Sequence, residues 1–177
     1  MKPQSVAVLA HRGASAWLPE HTLAAYARAI ADGADWIEPD LVSTADGVLV
    51  ARHENAIGTT TDVADHPAFA ARRRRQCIDG QWVEGWFTED FTLAELKTLR
   101  VRERLPQLRG TAMDGQLEIP TLEEIFLLMR QSRAASSRCL GLVPEIKHGS
   151  HFRALGLGME EKLLAQWRAG LCLTGGG

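Results

Sequence analysis

The chain has 177 residues, of which 45% are hydrophobic and 24% are charged, and its formal net charge is −2. This length is sufficient for one domain with a hydrophobic core, and the composition is ordinary for a soluble globular protein. The nearly balanced charge gives no reason to expect nucleic acid as a partner. Because no apolar run reaches the about 20 residues that span a bilayer, we expect no stable membrane insertion.

The amino terminus carries a short apolar run, 5–10, that only partly resembles an export signal. His11 and Arg12 interrupt this run before the small residues at 14–16, where a signal peptide would be cleaved. We therefore expect the chain as written to stay in the cytoplasm, and a periplasmic location is the alternative if a signal upstream of Met1 has been lost. Three widely spaced cysteines show no metal-binding pattern and are expected to be free thiols.

Apolar runs that predict strands alternate with segments of helical periodicity. Strands are predicted at 6–10, 36–42, 48–51 and 140–146, and helices at 22–32, 121–131 and 159–169. The first run is continuous, which is typical of a strand buried on both faces. The alternation of strands and helices predicts an α/β fold with a parallel sheet.

Residues 54–119 interrupt this alternation. They contain the arginine run 72–75, which we interpret as a solvated loop, and one helix predicted to begin at Thr92 with Glu95 as its capping partner. We interpret the segment as an insertion on the rim of a barrel. Because a closed (β/α)8 barrel needs about 250 residues, the chain is either an open half-barrel or truncated at its carboxyl end, and we favour truncation.

Four charged residues occupy alternate positions on two predicted strands. Glu38 and Asp40 are two residues apart, as are Glu145 and Lys147, so each pair points to one face of its strand. If the two faces meet at one barrel mouth, three carboxylates and an ammonium group converge. Carboxylate oxygens favour Ca²⁺ or Mg²⁺ over softer metals. A set of salt bridges on the rim is the alternative interpretation.

Two histidines end predicted strands, His11 after the first strand and His53 after the third. The ordinary histidine pKa of roughly 6.5 suits general acid and base catalysis near neutral pH. Arg12 can hold a phosphate through its planar guanidinium group or form a salt bridge with Glu20, and Glu20 can instead favour the start of the following helix. The remaining histidines are expected at the surface: His21, His66, His148 and His151.

Five short motifs occur in a fixed order along the chain. They are His-Arg-Gly at 11–13, Pro-Glu-His-Thr at 19–22, Glu-Pro-Asp at 38–40, Arg-His-Glu at 52–54 and Pro-Glu-Ile-Lys-His at 144–148. In this order they resemble the glycerophosphodiester phosphodiesterase family, and the resemblance runs from Val6 to about Leu171. The segments 58–63 and 85–90 resemble parts of the insertion found in the bacterial, periplasmic-type branch of that family.

The resemblance implies a TIM barrel of the phospholipase-C-like phosphodiesterase type, here its amino-terminal half plus an insertion at 54–119, in a single partial domain over 1–177. It implies metal-dependent hydrolysis of a small-molecule glycerophosphodiester to glycerol 3-phosphate and an alcohol, with Ca²⁺ or Mg²⁺ as the cofactor. The implied site has Glu38, Asp40 and Glu145 as metal ligands, His11 and His53 as the acid and base, Arg12 and Lys147 at the phosphate, and Glu20 in support. One departure is His21, where the family usually has asparagine.

The absent second half of the barrel supports a rival hypothesis. The chain could be a truncated and catalytically impaired homologue that only binds a cation or a phosphate ligand. Edge strands without partners leave apolar surface and backbone groups open to other chains. We therefore expect self-association of the chain, together with weak or absent hydrolysis of glycerophosphocholine.

Overall fold

The computed structural model describes residues 6–136 and 139–172, which form a mixed α/β structure. The strands are Leu9–His11 (β1), Trp36–Glu38 (β2), Asp40–Ser43 (β3), Leu49–Ala51 (β4), Arg74–Ile78 (β5), Gln81–Gly85 (β6), Gly141–Leu142 (β7) and Glu145–Ile146 (β8). The α-helices are Leu23–Ala31 (α1), Leu93–Leu96 (α2), Pro106–Arg109 (α3), Leu122–Ser136 (α4), Gly149–Ala154 (α5) and Glu160–Cys172 (α6). No helix within these described ranges combines the length and the apolar character needed to cross a membrane.

Parallel pairing organises the centre of the structure. The strand β2 lies between β1 and β7, and β3 pairs in parallel with β8. The strands predicted at 36–42 and 140–146 are each divided at a proline, Pro39 and Pro144, because proline has no N–H for the ladder. The ladder nevertheless continues across the break, since the Glu145 backbone N–H donates to the Pro39 carbonyl at 3.0 Å. The described ranges contain no closed barrel.

The prediction of an entirely parallel central sheet was wrong for β4. This strand runs antiparallel to β3, with Val42 opposite Val50. The connection between the strands is a tight turn, in which Gly47 takes a positive φ of 77° and its N–H donates to the Thr44 carbonyl. A turn this short cannot make the crossover that a parallel partner requires.

The prediction of a doubly buried first strand was also wrong. Only Leu9–His11 is strand, and the side chains before it are open to water, with Val6 exposed by 87% and Val8 by 53%. The physical reason is that, among the described residues, β1 has a partner on one side only, which is β2. An apolar run therefore lies on an uncovered edge.

The predicted helix starts were confirmed. The Thr22 hydroxyl accepts from the Ala25 backbone N–H at the start of α1, and Thr92 with Glu95 forms a complete capping box at α2. Thr121 and Glu124 make the same reciprocal contacts before α4. The helices α4 and α6 extend a few residues beyond their predicted ends at 131 and 169.

The segment 54–119 packs against the same core as the central sheet. Its arginine run is solvent-exposed at 73–75, as predicted, but it is not a loop throughout, because Arg74 begins β5. Arg74 ion-pairs with Asp90 at 2.7 Å, and Arg72 pairs with Glu95 at 2.5 Å. Buried apolar residues from the sheet and from this segment form one cluster that includes Ile37, Leu41, Val50, Phe91, Leu96, Leu99 and Val101. The core therefore fixes the segment against the sheet.

Gly13 supports a close approach between the turn after β1 and helix α1. Its φ is +83°, and a Cβ built there would lie 2.8 Å from the Ala25 carbonyl carbon. Gly13→Ala should lower the free energy of unfolding by about 2–5 kcal/mol, which combines the cost of a left-handed alanine with that of crowding in a packed region. Urea unfolding followed by circular dichroism measures this change.

Gly80→Ala is the matched control for this prediction. Gly80 has the same φ of +83°, but a Cβ added there would meet nothing within 4 Å. Its replacement should cost only the backbone part, about 1–2 kcal/mol. Equal losses in the two variants would contradict a steric role for the contact with Ala25.

Candidate active site

Three carboxylates meet where the chain passes from β2, in one three-stranded sheet, to β3, in the next. Glu38 ends β2, Asp40 begins β3, and Glu145 begins β8 directly opposite Asp40 in the register. One oxygen from each side chain lies within 4.8 Å of the other two. Glu38 and Asp40 are buried, whereas the Glu145 side chain is 56% exposed. The predicted convergence of these three acids is therefore present in the structure.

The pKa values of the two buried acids, Glu38 and Asp40, are shifted in opposite directions. Burial, followed by repulsion from Asp40, raises the pKa of Glu38 to about 7. Burial acts in the same direction on Asp40, but the contacts with His21 and Lys147 outweigh it and hold the Asp40 pKa well below its usual range. The cluster therefore has one firmly ionised acid beside one that readily takes up a proton.

Cationic groups surround the Asp40 carboxylate, which has no exposed surface. The Lys147 ammonium lies 3.1 Å from Oδ1, and the Arg12 Nε lies 3.3 Å from Oδ2. Lys147 also contacts Glu145 at 2.7 Å. Both residues that were predicted to bind phosphate thus stand beside the carboxylate cluster.

The two histidines predicted to be catalytic belong to segments that pair along the same edge of the acid-bearing strands β2 and β3. His11 lies opposite Glu38 in the β1–β2 register. His53 follows Arg52, whose backbone N–H donates to the Asp40 carbonyl at 3.0 Å. His11 is exposed, whereas His53 is half-buried, with its Nδ1 2.7 Å from a Glu54 carboxylate oxygen. The contact with Glu54 fixes one ring nitrogen of His53 and leaves Nε2 for other partners.

Glu20 takes part in a chain of alternating charges that begins at the cluster. Arg12 contacts Glu20 at 3.1 Å, and Glu20 accepts from Arg104 Nε at 2.7 Å. Arg104 also donates to both oxygens of Glu54, at 2.5 and 2.7 Å. Although burial opposes ionisation, the hydrogen bonds from Arg104 and His53 lower the pKa of Glu54 to about 2. The salt bridge between Arg12 and Glu20, which the sequence offered as the alternative to a phosphate contact, is present in the structure.

Arg104 is a site residue that sequence reasoning missed. It lies in the segment 54–119, 84 residues from Glu20 along the chain. No local pattern marks it, because its two acidic partners are brought to it only by the packing of that segment. A charged residue without a motif is normally interpreted as a surface residue.

The prediction that His21 lies at the surface was wrong. Its ring is completely buried, with Nε2 2.8 Å from Asp40 Oδ2 and Nδ1 2.7 Å from the Tyr26 hydroxyl. Burial lowers the pKa of His21 to about 4, so the ring is neutral near pH 7. The only sequence signal was its position between Glu20 and the helix cap Thr22.

The other histidines predicted at the surface are half-buried and paired with acids away from the cluster. His148 contacts Asp79 at 2.6 Å, and His151 contacts Glu89 at 2.8 Å. His66 lies 3.4 Å from Asp62. None of these three histidines is part of the potential metal-binding group formed by Glu38, Asp40 and Glu145.

A cavity of about 600 Å³ lies between segments that carry site residues. Glu54, which follows His53, and His148, which follows Lys147, both line it. Its far wall is the β5–β6 hairpin, together with Trp86. A small organic group could occupy this space, which the three carboxylates themselves do not line.

The carboxylate cluster fits a hard divalent cation. The Asp40 Oδ1 atom is buried, and its one ion-pair partner among the described residues is the Lys147 ammonium at 3.1 Å, so a cation beside Lys147 could share this oxygen. Glu38 and Glu145 add further carboxylate oxygens within the same small volume. An oxygen-only donor set of this kind suits Ca²⁺ or Mg²⁺, and the adjacent Arg12 and Lys147 suit an anionic substrate.

Similarity to known proteins agrees with this arrangement. Residues 11–142 match the family described as the glycerophosphoryl diester phosphodiesterase family. A glycerophosphodiester phosphodiesterase of Arabidopsis thaliana is 45% identical over 140 residues, which cover 79% of this chain and 36% of that protein. The Haemophilus influenzae glycerophosphodiester phosphodiesterase is 33% identical over 150 residues, which cover 79% of this chain and 39% of the relative.

Solved structures show the same relationship. A phosphodiesterase of Oleispira antarctica, in complex with the product sn-glycerol-3-phosphate, has a TM-score of 0.54 and 28% identity, covering 80% of this chain and 44% of its own. The matched region thus spans less than half of each of these three proteins. The family match covers most of the chain and includes the carboxylates Glu38 and Asp40 and the histidines His11 and His53, and the chain belongs to the glycerophosphoryl diester phosphodiesterase family.

Proposed function

We propose that this chain provides the cation site and the acid–base residues for hydrolysis of glycerophosphodiesters to glycerol 3-phosphate and an alcohol. The observation that carries the proposal is the convergence of three carboxylates and two basic side chains, with His11 opposite Glu38 in the strand register. The product bound to the Oleispira relative is of the same chemical class. In this proposal 1–177 is one partial domain, with 54–119 as its insertion.

Glu38, Asp40 and Glu145 would hold the cation. When bound there, a divalent cation supplies positive charge that neutralises the phosphate and stabilises the transition state. Arg12 and Lys147 share this task by binding the nonbridging phosphate oxygens. Their present contacts with Asp40 keep both side chains at the site.

His11 and His53 divide the proton transfers. One imidazole accepts the proton from the attacking hydroxyl group, and the other donates a proton to the oxygen of the leaving alcohol. The attacking group is either water or a hydroxyl of the substrate glycerol, which would pass through a cyclic phosphate. Glu54 orients the ring of His53, and Glu20 holds Arg12 in place.

The cavity beside Glu54 and His148 would receive the alcohol part of the substrate. Two of its lining residues, Glu54 and His148, directly follow His53 and Lys147 in the sequence. A diester phosphate at the carboxylate cluster could therefore extend one substituent into it. The mixture of charged and apolar walls, with Trp86 among them, suits a small polar alcohol.

Impaired catalysis with retained binding is the second candidate function. It is favoured by the exposed apolar side chains at the edge strand β1 and by the absence of a closed barrel in the described residues. The cation ligands could persist in such a chain while His11 is poorly positioned. Small displacements of catalytic groups strongly reduce rates.

The metal proposal predicts a gain in thermal stability on binding. Ca²⁺ or Mg²⁺ at about 100 times its Kd should stabilise the folded chain by about 2.7 kcal/mol through mass action and raise the Tm. Asp40→Asn should remove most of this gain, since the neutral amide is a weaker ligand. Differential scanning fluorimetry with and without metal tests it, and an equal response of variant and parent would disprove the ligand assignment.

The catalytic proposal predicts large losses in kcat without loss of metal binding. His11→Ala and His53→Ala should each lower kcat by about 10²–10⁴, measured with glycerophosphocholine on a version extended to the length of the relatives. His66→Ala is the control, because this half-buried histidine lies outside the cluster. Near-normal turnover after either of the first two changes would remove that histidine from the mechanism.

The exposed edge predicts self-association of the 177-residue chain. Size-exclusion chromatography should show species larger than the monomer, and Val8→Lys should shift the profile towards the monomer by placing a charge on the edge. Leu108→Lys is the control, because Leu108 is 79% exposed but lies in α3, outside the edge. A monodisperse parent would refute this expectation.

A further inference from the structure

Three fully buried polar side chains contact one another in succession, beginning at Asp40 in the carboxylate cluster and continuing through His21 to Tyr26. The His21 ring contacts Asp40 Oδ2 through Nε2 at 2.8 Å and the Tyr26 hydroxyl through Nδ1 at 2.7 Å. All three residues have no exposed surface. Both ring nitrogens are therefore satisfied, as a buried histidine requires.

The backbone at His21 is held in a conformation that few side chains favour. Its φ is +55°, and that of Arg12 is +62°. The His21 N–H donates to the Arg12 carbonyl at 3.2 Å, which joins the two left-handed residues. Left-handed backbone at a residue other than glycine is costly and persists only where the surroundings hold it in place. Both residues then reach the same oxygen of Asp40.

The two oxygens of Asp40 are consequently different. Oδ2 contacts His21 and lies 3.3 Å from Arg12 Nε. Within the part of the chain that the structure describes, Oδ1 has one ion-pair partner, the Lys147 ammonium at 3.1 Å, and no hydrogen bond of good geometry. A carboxylate held through one oxygen has its rotation fixed, so its other oxygen is presented in one direction.

We propose that His21 is a positioning residue of the cation site, which holds Asp40 through Oδ2, is itself held by Tyr26, and so leaves Asp40 Oδ1 to bind the cation. This inference rests on the proposed function, because it needs Asp40 as a ligand. Hydrogen-bond partners of metal ligands commonly change metal affinity by 10–100-fold when they are removed. The same order is expected here.

The central experiment measures the Kd of Ca²⁺ and of Mg²⁺ by isothermal titration calorimetry. His21→Met introduces an apolar side chain of similar size that cannot donate a hydrogen bond to Asp40. It should weaken the Kd by about 10–100-fold. His21→Gln places an amide N–H near the position of Nε2 and should retain the Kd within about threefold of the parent. Tyr26→Phe removes only the hydroxyl group and should give an intermediate loss.

His151→Met is the matched control. His151 is another largely buried histidine, paired with the buried Glu89 at 2.8 Å, and it lies outside the carboxylate cluster. Its replacement should lower the metal-free Tm while leaving the Kd of both cations unchanged. If His21→Met does not fold, the comparison of Tyr26→Phe with His151→Met carries the same test.

The outcomes separate this inference from the proposed function. If Asp40→Asn weakens metal binding but folded His21→Met binds with the parental Kd, the positioning role is overturned and the metal site stands. If the parent binds neither cation, both fail. Non-additive losses in the double variant of His21→Met and Asp40→Asn would support the inference, because residues that act through one another do not contribute independently.

Discussion

The repulsion among Glu38, Asp40 and Glu145 is the constraint on which the rest of the site depends. Two of these carboxylates are buried, and burial of like charges at such short range is costly unless other groups compensate. The Arg12 and Lys147 side chains compensate for the charge of Asp40. The pKa values of the two buried acids also differ, because that of Glu38 is raised and that of Asp40 is lowered. A cation bound among these carboxylates would therefore relieve their repulsion.

This compensation extends into the segment 54–119. Glu20 balances Arg12, Arg104 balances Glu20, and Glu54 accepts two further bonds from Arg104 before it reaches His53. The charge of the cluster is thus linked to His53 by alternating ion pairs. Because the segment 54–119 shares the core of the central sheet and carries Arg104, it is a structural part of this arrangement.

The sequence predicted those features that depend on local rules. Alternate residues on a strand share a face, so Glu38 and Asp40 could be paired in advance, and Thr92 with Glu95 announced a helix start. The sequence could not show that His21 is buried, because its partners Asp40 and Tyr26 meet it only in the folded chain. The exposure of Val8 and the role of Arg104 likewise depend on contacts between distant segments. The antiparallel direction of β4 was available from the Asp46-Gly47 turn, whose shortness excludes a crossover.

The topology places the proposed cation ligands Glu38 and Asp40 and the proposed catalytic residue His11 in unequal surroundings. Glu38 and Asp40 lie on the central strands β2 and β3, each of which has a partner on both sides. His11 lies on β1, which is paired on one side within the described residues, and it is exposed. Edge strands open more easily than central ones, because fewer contacts hold them. The acid pair and His21, the partner of Asp40, should therefore keep their geometry when His11 does not, so the proposed cation binding should survive changes at the edge that abolish the proposed turnover.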